Sequence, residues 1–210
     1  MGRSHKVTDS DWRGGFLFLG TQLALDLLNT RPVQDGEPME LLTDFGALLR
    51  WFHAAELLSA RDEVRLLRRW GRSSRAQRAV EAVRQLRESL RKEVLAWEGG
   101  SSVRRSTVTG LNRWMADHPI LSRLRVTGNT SSITHWFQTR NPEDLFAPLA
   151  LSAATLFASV DRSRVRKCAQ CVLHFHDTSK KGTRRWCSMR LCGNRAKVAT
   201  YAARKRARRA

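Results

Sequence analysis

The chain has 210 residues and a formal net charge of +19, from 38 Lys and Arg against 19 Asp and Glu. A chain of this length holds one substantial core and a small appendage, and an apolar content of 41% with seven Trp excludes a disordered chain. The longest apolar stretch, residues 16–28, is interrupted by Gly20, Thr21, Gln22 and Asp26, which excludes a membrane span of roughly 18 apolar residues.

The residues from Met1 to Lys6 lead into Asp9, Asp11 and Arg13 instead of an apolar signal core, so the expected compartment is the cytosol. Residues 16–20 form a short apolar run that fits a strand. Residues 22–29 carry Leu23, Ala24, Leu27 and Leu28 at helical spacing. Pro, Asp and Gly between Arg31 and Pro38 predict a loop. Thr43 is the expected N-cap of a helix with Phe45, Leu48, Leu49, Phe52 and Leu57 on one side. Ser59, followed by Asp62 and Glu63, opens the next helix, to about Trp70.

Ser74 begins the longest helix. Ala76, Ala79, Val83, Leu86, Leu90, Val94 and Trp97 recur every three or four residues, and Glu81, Arg84, Arg87, Glu88, Arg91, Lys92 and Glu93 line the remaining faces. That pattern predicts a core stripe under a solvated charged surface, and also fits a partner helix or dimer seam. Gly99-Gly100 ends it. A shorter helix spans residues 106–115. Gly128-Asn129 then marks a β-hairpin between a run with Leu121, Leu124 and Val126 and one with Ile133, Trp136 and Phe137. Asn141-Pro142-Glu143-Asp144 is a helix start: capping Asn, Pro at the first position, acids in the first turn.

Charge changes after residue 160. Residues 161–210 hold 16 basic and 2 acidic residues, a net +14, and the first 160 hold only +5. An excess confined to one quarter of a chain points to a polyanionic partner. The same quarter holds all four cysteines, at 168, 171, 187 and 192, spaced C-x2-C-x15-C-x4-C. In a cytosolic protein, two close cysteine pairs at this separation read as one structural, four-thiolate zinc site with no open position for a reacting water. His174 and His176 are alternative ligands. A unit this small needs such a staple to fold.

The order predicted here is a knuckle at Cys168–Cys171, a strand over residues 172–177, a turn at residues 179–182, a return over residues 183–186 to Cys187, then a helix from Arg195. This is a treble-clef-like arrangement. On that helix Ala196, Ala199, Ala203 and Ala207 form a small-residue stripe suited to packing on the hairpin. Asn194 is expected to cap the helix or bond a knuckle carbonyl, Gly193 to permit a tight turn, Trp186 to pack between hairpin and helix, and Asp177 to pair with Arg185 or hold Ser179. Lys180, Lys181, Arg184 and Arg185 of the hairpin, with Arg195, Lys197, Arg204, Lys205, Arg206, Arg208 and Arg209 of the helix, form a basic surface suited to phosphates.

These residues also resemble a known family. Arg166–Cys171, Phe175–Ser179, Arg185-Trp186-Cys187-Ser188-Met189 and Cys192-Gly193-Asn194-Arg195-Ala196-Lys197 closely resemble the CGNR zinc finger over about residues 160–205. The body is similar to the ABATE domain that usually precedes that finger, through residues 20–30 (GTQLALDLLNT) and Leu42–Phe45 with Leu48–Trp51. The resemblance implies a bacterial, stress-induced transcription regulator that binds DNA through the finger, with Cys168, Cys171, Cys187 and Cys192 as zinc ligands.

The expected fold is therefore α+β: residues 1–160 as a mostly helical sensing or oligomerising body with one β-hairpin, and residues 161–210 as the zinc finger. No catalytic motif is present in the sequence, and the expectation is a non-enzyme. Within the body, Asp26 lies among leucines and needs a partner. Asp26, Asn29 and Thr30 are read either as ties to the backbone or an arginine, or as the polar wall of an effector pocket with Trp51 or Trp136 as its apolar wall. A homodimer fits the same body. The competing functions are an RNA- or ribosome-associated zinc-binding protein and a zinc-stabilised protein-interaction module. The finger's few aromatics favour duplex DNA over unpaired RNA.

Overall fold

The computed structural model describes residues 11–34 and 36–207, without the side chains of residues 200, 204, 206 and 207. Residues 1–10, on which the reading of the N-terminus rests, lie outside the described residues, as do Arg208, Arg209 and the side chains of Arg204 and Arg206. The fold is mostly helical with small antiparallel hairpins, as expected. No described helix is long and apolar enough to cross a membrane.

The described residues open with a hairpin, β1 (Trp12–Arg13) and β2 (Phe16–Leu17). It turns at Gly20-Thr21 into helix α1 (Leu23–Leu28). Gly20 has to be glycine: a Cβ there would lie 2.6 Å from the Leu25 Cβ and 2.9 Å from the Asp26 backbone nitrogen. The predicted loop at residues 31–38 contains a minimal hairpin, β3 (Val33–Gln34) and β4 (Glu37–Pro38).

Helix α2 (Phe45–Ala54) is capped by Asp44, one residue after the expected Thr43; its carboxylate accepts from the Ala47 amide at 2.7 Å. Ser59 caps α3 (Ala60–Trp70) as expected, accepting from the Asp62 amide. Helix α4 (Ser74–Glu98) is capped by Ser73, and buries its predicted stripe except for the half-buried Leu86. Helix α5 (Arg105–Asp117) leads into β5 (Leu121–Thr127) and β6 (Thr130–Trp136), joined at Gly128-Asn129. Asn141 and Asp144 form a reciprocal capping box over a 3-10 turn, which continues into α6 (Phe146–Ser159).

One core joins α1, α2, α4 and α6. Leu25, Leu27, Leu48, Leu49, Trp51, Phe52 and Leu149 are completely buried in it. Two charged residues of α4 are buried as well, against the expectation of a solvated face. Arg87 donates to both carboxylate oxygens of Glu40 and to the Thr30 hydroxyl. Glu93 accepts from the Arg104 backbone and guanidinium and from Thr107. Each buried charge is thus matched by an opposite charge and hydrogen bonds, without which its desolvation would not be offset. The β5–β6 hairpin, by contrast, packs little: Leu124, Val126 and Ile133 are 62–67% exposed.

Candidate metal centre and basic surface

The C-terminal unit starts at β7 (Val165–Lys167), which pairs antiparallel with β8 (His174–His176). The C-x2-C turn is the loop of this hairpin. This differs from the expected pairing of the second strand with residues 183–186. Asp177 explains the difference: fully buried, it accepts from the Ser179 and Arg184 amides and so holds residues 178–184 as a loop. The expected tie to Ser179 is therefore present, and the arginine charge facing Asp177 is that of Arg166, at 4.0 Å, instead of Arg185. The Arg164 guanidinium fastens the same loop through the carbonyls of Asp177 and Ser179.

The two cysteine pairs arrive from independent turns. The Cys168 amide donates to the Leu173 carbonyl at 2.8 Å, which closes the first knuckle. The Ala169 amide donates to the Arg185 carbonyl, which brings in the segment leading to Cys187. A π-helical turn, Met189–Gly193, delivers Cys192 to the start of helix α7 (Asn194–Ala207). The capping group here is the Ser188 hydroxyl, which accepts from the Arg190 amide. Asn194 is not that cap but already helical, at φ −67° and ψ −41°. Gly193 makes no left-handed turn and packs closely: a Cβ would lie 2.5 Å from the Sδ of Met189, an exposed side chain that can move aside, and 3.3 Å from the Trp186 ring.

All four thiol sulfurs lie within 4.8 Å of one another. The Cys171 and Cys187 sulfurs are 3.7 Å apart. Tetrahedral zinc–thiolate bonds of about 2.3 Å place sulfurs about 3.8 Å apart, so the cluster fits the ion, and a disulfide of about 2.05 Å is not what holds it. The electrostatics favour a thiolate at Cys171 and disfavour one at Cys187 and Cys192, where burial contributes to the rise. The Cys187 thiol and the Leu173 amide donate toward Cys171 and hold it down at about 5, whereas the hydrogen bond with Cys171 and burial push Cys187 up. Arg195 Nη2 donates to the Cys192 sulfur at 3.3 Å, and that bond raises the guanidinium's own affinity for its proton. Cys168, Cys171, Cys187 and Cys192 are the residues that would hold one zinc ion, which would supply a crosslink between the two turns.

No histidine belongs to the cluster among the described residues. His174 is buried in β8, its ring nitrogens make no hydrogen bond, and its Nε2 lies 3.8 Å from a Glu98 carboxylate oxygen. Burial, reinforced by Arg91 and Lys167, lowers its pKa to about 4. His176 is half-buried, with Nδ1 3.4 Å from the Thr21 hydroxyl.

The finger's core includes residues from the body. Leu17 and Leu19 are 3% and 5% exposed and cluster with Cys168, Leu173, Phe175, Cys187 and Cys192. Phe16 and Phe18 face the other way, into the body core. Asn29 receives the His174 amide and donates to its carbonyl, both at 2.9 Å. The His176 amide reaches the Gly20 carbonyl, and the Ser188 hydroxyl donates to Asp11.

The cations expected to meet phosphate do not all face solvent. Lys180, Lys181, Arg185, Lys197 and Lys205 are exposed. Arg184 instead donates to the carbonyls of Trp186 and Cys187 and covers the Phe175 ring at 4.6 Å. Arg195 is exposed, but its guanidinium is engaged by the Cys192 sulfur and the Leu191 carbonyl. Two exposed cations not singled out from the sequence, Arg162 and Lys167, line a cleft with Arg166 and Arg185. The basic run at residues 162–167 was the available signal. The expected alanine stripe does not pack as a whole: Ala196 is buried, but Ala199 and Ala203 are exposed, so α7 projects after its first turn.

The residues considered for an effector pocket do not assemble into one. Asp26 accepts from the Gly20 amide at 2.6 Å, Asn29 clamps β8, and Thr30 bonds Arg87 and the Leu27 carbonyl. Trp51 is completely buried between Phe18 and Phe52, whereas Trp136 lies on the exposed hairpin under Arg123. The polar groups are structural ties, and the two indoles lie in different environments.

A closed four-thiolate cluster at the meeting of two turns, with a helix leaving the second, defines a structural zinc finger. Family comparison agrees on both parts of the chain. It belongs to the ABATE family, described as "Putative stress-induced transcription regulator", whose model matches residues 21–160; the CGNR zinc finger model matches residues 164–205. No curated protein matches the chain.

Proposed function

We propose that the chain is a zinc-dependent, DNA-binding transcription regulator acting in the bacterial cytosol, with the finger as its DNA-binding module and no catalytic role. The observation that carries this reading is that Lys180, Lys181, Arg185, Lys197 and Lys205 are exposed on one unit fixed by the thiolate cluster. Cations fixed in this way neutralise phosphates at defined spacing. The stress-related regulatory role rests on the family description. With Asp26, Asn29 and Thr30 engaged internally, dimerisation is the better-supported role for the body. The exposed Leu124, Val126 and Ile133 of the β5–β6 hairpin offer the surface for it; an Ile133→Lys variant with the same solution mass as wild type would argue against that role. Competition between duplex DNA and single-stranded RNA for the full-length, zinc-loaded protein tests the main proposal. Duplex DNA is expected to prevail; preferential binding of RNA would favour the RNA-associated reading.

A further inference from the structure

We infer that the outward face of α7 reads base edges in the DNA major groove through Asn194, Val198 and Tyr201; this rests on the DNA-binding reading above. Val198 and Tyr201 are 68% and 69% exposed, the most exposed large apolar side chains among the described residues. Asn194, Val198, Tyr201 and Lys205 are spaced i, i+4, i+7 and i+11, which places them in one row along a helix. All four are exposed, and the buried Ala196 lies on the opposite side. The row is open to solvent, with Tyr201 at the rim of a cleft it shares with Gln170, Arg185 and Trp186 of the finger.

The flanks of the row indicate its occupant. Lys197 flanks its first turn, and α7 contains no acidic residue. A second copy of so basic a helix would be repelled. An anionic membrane surface would need a broad face of large apolar residues, and this face has only Val198 and Tyr201. Duplex DNA suits both the charge and the shape. Ala196, Ala199, Ala202 and Ala203 keep the helix slim, and a 14-residue helix is about 21 Å long. The major groove, about 12 Å wide, admits such a helix, whereas the A-form RNA major groove does not. The residue chemistry is that of base readout: an amide matches adenine, a branched apolar side chain packs on the thymine methyl, and cations take the flanking phosphates.

The test is selection from a random-sequence duplex pool by the full-length, zinc-loaded protein, followed by affinity measurements on the enriched and a scrambled duplex. Wild type is expected to enrich a short motif. Val198→Ala and Tyr201→Ala, both at exposed positions, should retain zinc and lower the enriched-to-scrambled ratio by roughly 5- to 150-fold, the equivalent of about 1–3 kcal/mol per base contact, with an unchanged salt slope. Lys205→Ala should weaken both duplexes equally. The inference fails if wild type binds duplexes without enriching any motif, or if the two variants keep the wild-type ratio. It also fails if their only effect is on self-association or on binding to phosphatidylserine vesicles. Failure of wild type to bind any duplex would overturn the proposed function as well.

Discussion

Asn29 is completely buried, yet its amide serves the backbone of a residue 145 positions away, accepting from the His174 N–H and donating to its C=O. Removing that amide leaves two buried main-chain groups without a partner, so Asn29→Ala should cost about 1–3 kcal/mol in denaturant unfolding. A change of only a few tenths would mean that water or a shift of β8 replaces the clamp. Asp26 is governed by burial, which raises its pKa to about 7 despite the Gly20 amide, a further backbone hydrogen bond and the charge of Arg13. Its folded pKa exceeds its unfolded one, so the folded state holds the proton more tightly between about pH 4 and 7. The stabilisation linked to this group is complete below that window and lost as pH rises through it, at no more than about 1.4 kcal/mol per pH unit. The stability of Asp26→Asn relative to wild type should therefore rise across the window, and parallel pH profiles would contradict this.

The hairpin at residues 12–17 and its continuation to Leu19 act at the scale of an element. Phe16 and Phe18 pack into the body while Leu17 and Leu19 pack against the cysteines, so one short extended segment serves two cores. Its sequence carried that signal: a strand buried on both faces is apolar at every position. The partner of each face, however, lies more than 100 residues away for the finger side and could not be read from local pattern. Leu17→Ala should destabilise by about 2–5 kcal/mol and speed zinc loss to a chelator, with His174→Ala keeping a full equivalent of zinc. Unchanged zinc release in Leu17→Ala would show that the finger holds its metal independently of the body. Legible elements were those with local causes: the Ser59 cap, the α4 stripe, the Gly128-Asn129 turn and the Asn141 cap. The three-residue strands β7 and β8 were harder, because no period is visible in three residues and Asp177, by fastening residues 178–184 as a loop, decides which segment pairs.

For the whole molecule, the sequence revealed the metal site more fully than the surface that uses it. Four cysteines at 168, 171, 187 and 192 specify a zinc site through spacing alone, since each close pair is a single turn. The basic surface was less legible because an arginine's role depends on its neighbours. Arg184 and Arg195 are engaged by carbonyls and a cysteine sulfur, while Arg87, read as a surface charge, is buried against Glu40. The concentration of +14 in residues 161–210 therefore resolves into internal ties around the thiolates and an outward set of exposed cations. Zinc couples the two by fixing the turns on which those cations stand.

The most direct measurement is the affinity of full-length protein for duplex DNA across a salt series, with zinc bound and after chelation, for wild type and for Lys197→Ala with Lys205→Ala. The expected result is a log affinity that falls linearly with log salt for the zinc-loaded protein, a slope reduced by about one for each lysine removed, and weaker binding once zinc is withdrawn. Affinity unmoved by salt, by the two lysines and by zinc would contradict a zinc-fixed DNA-binding surface.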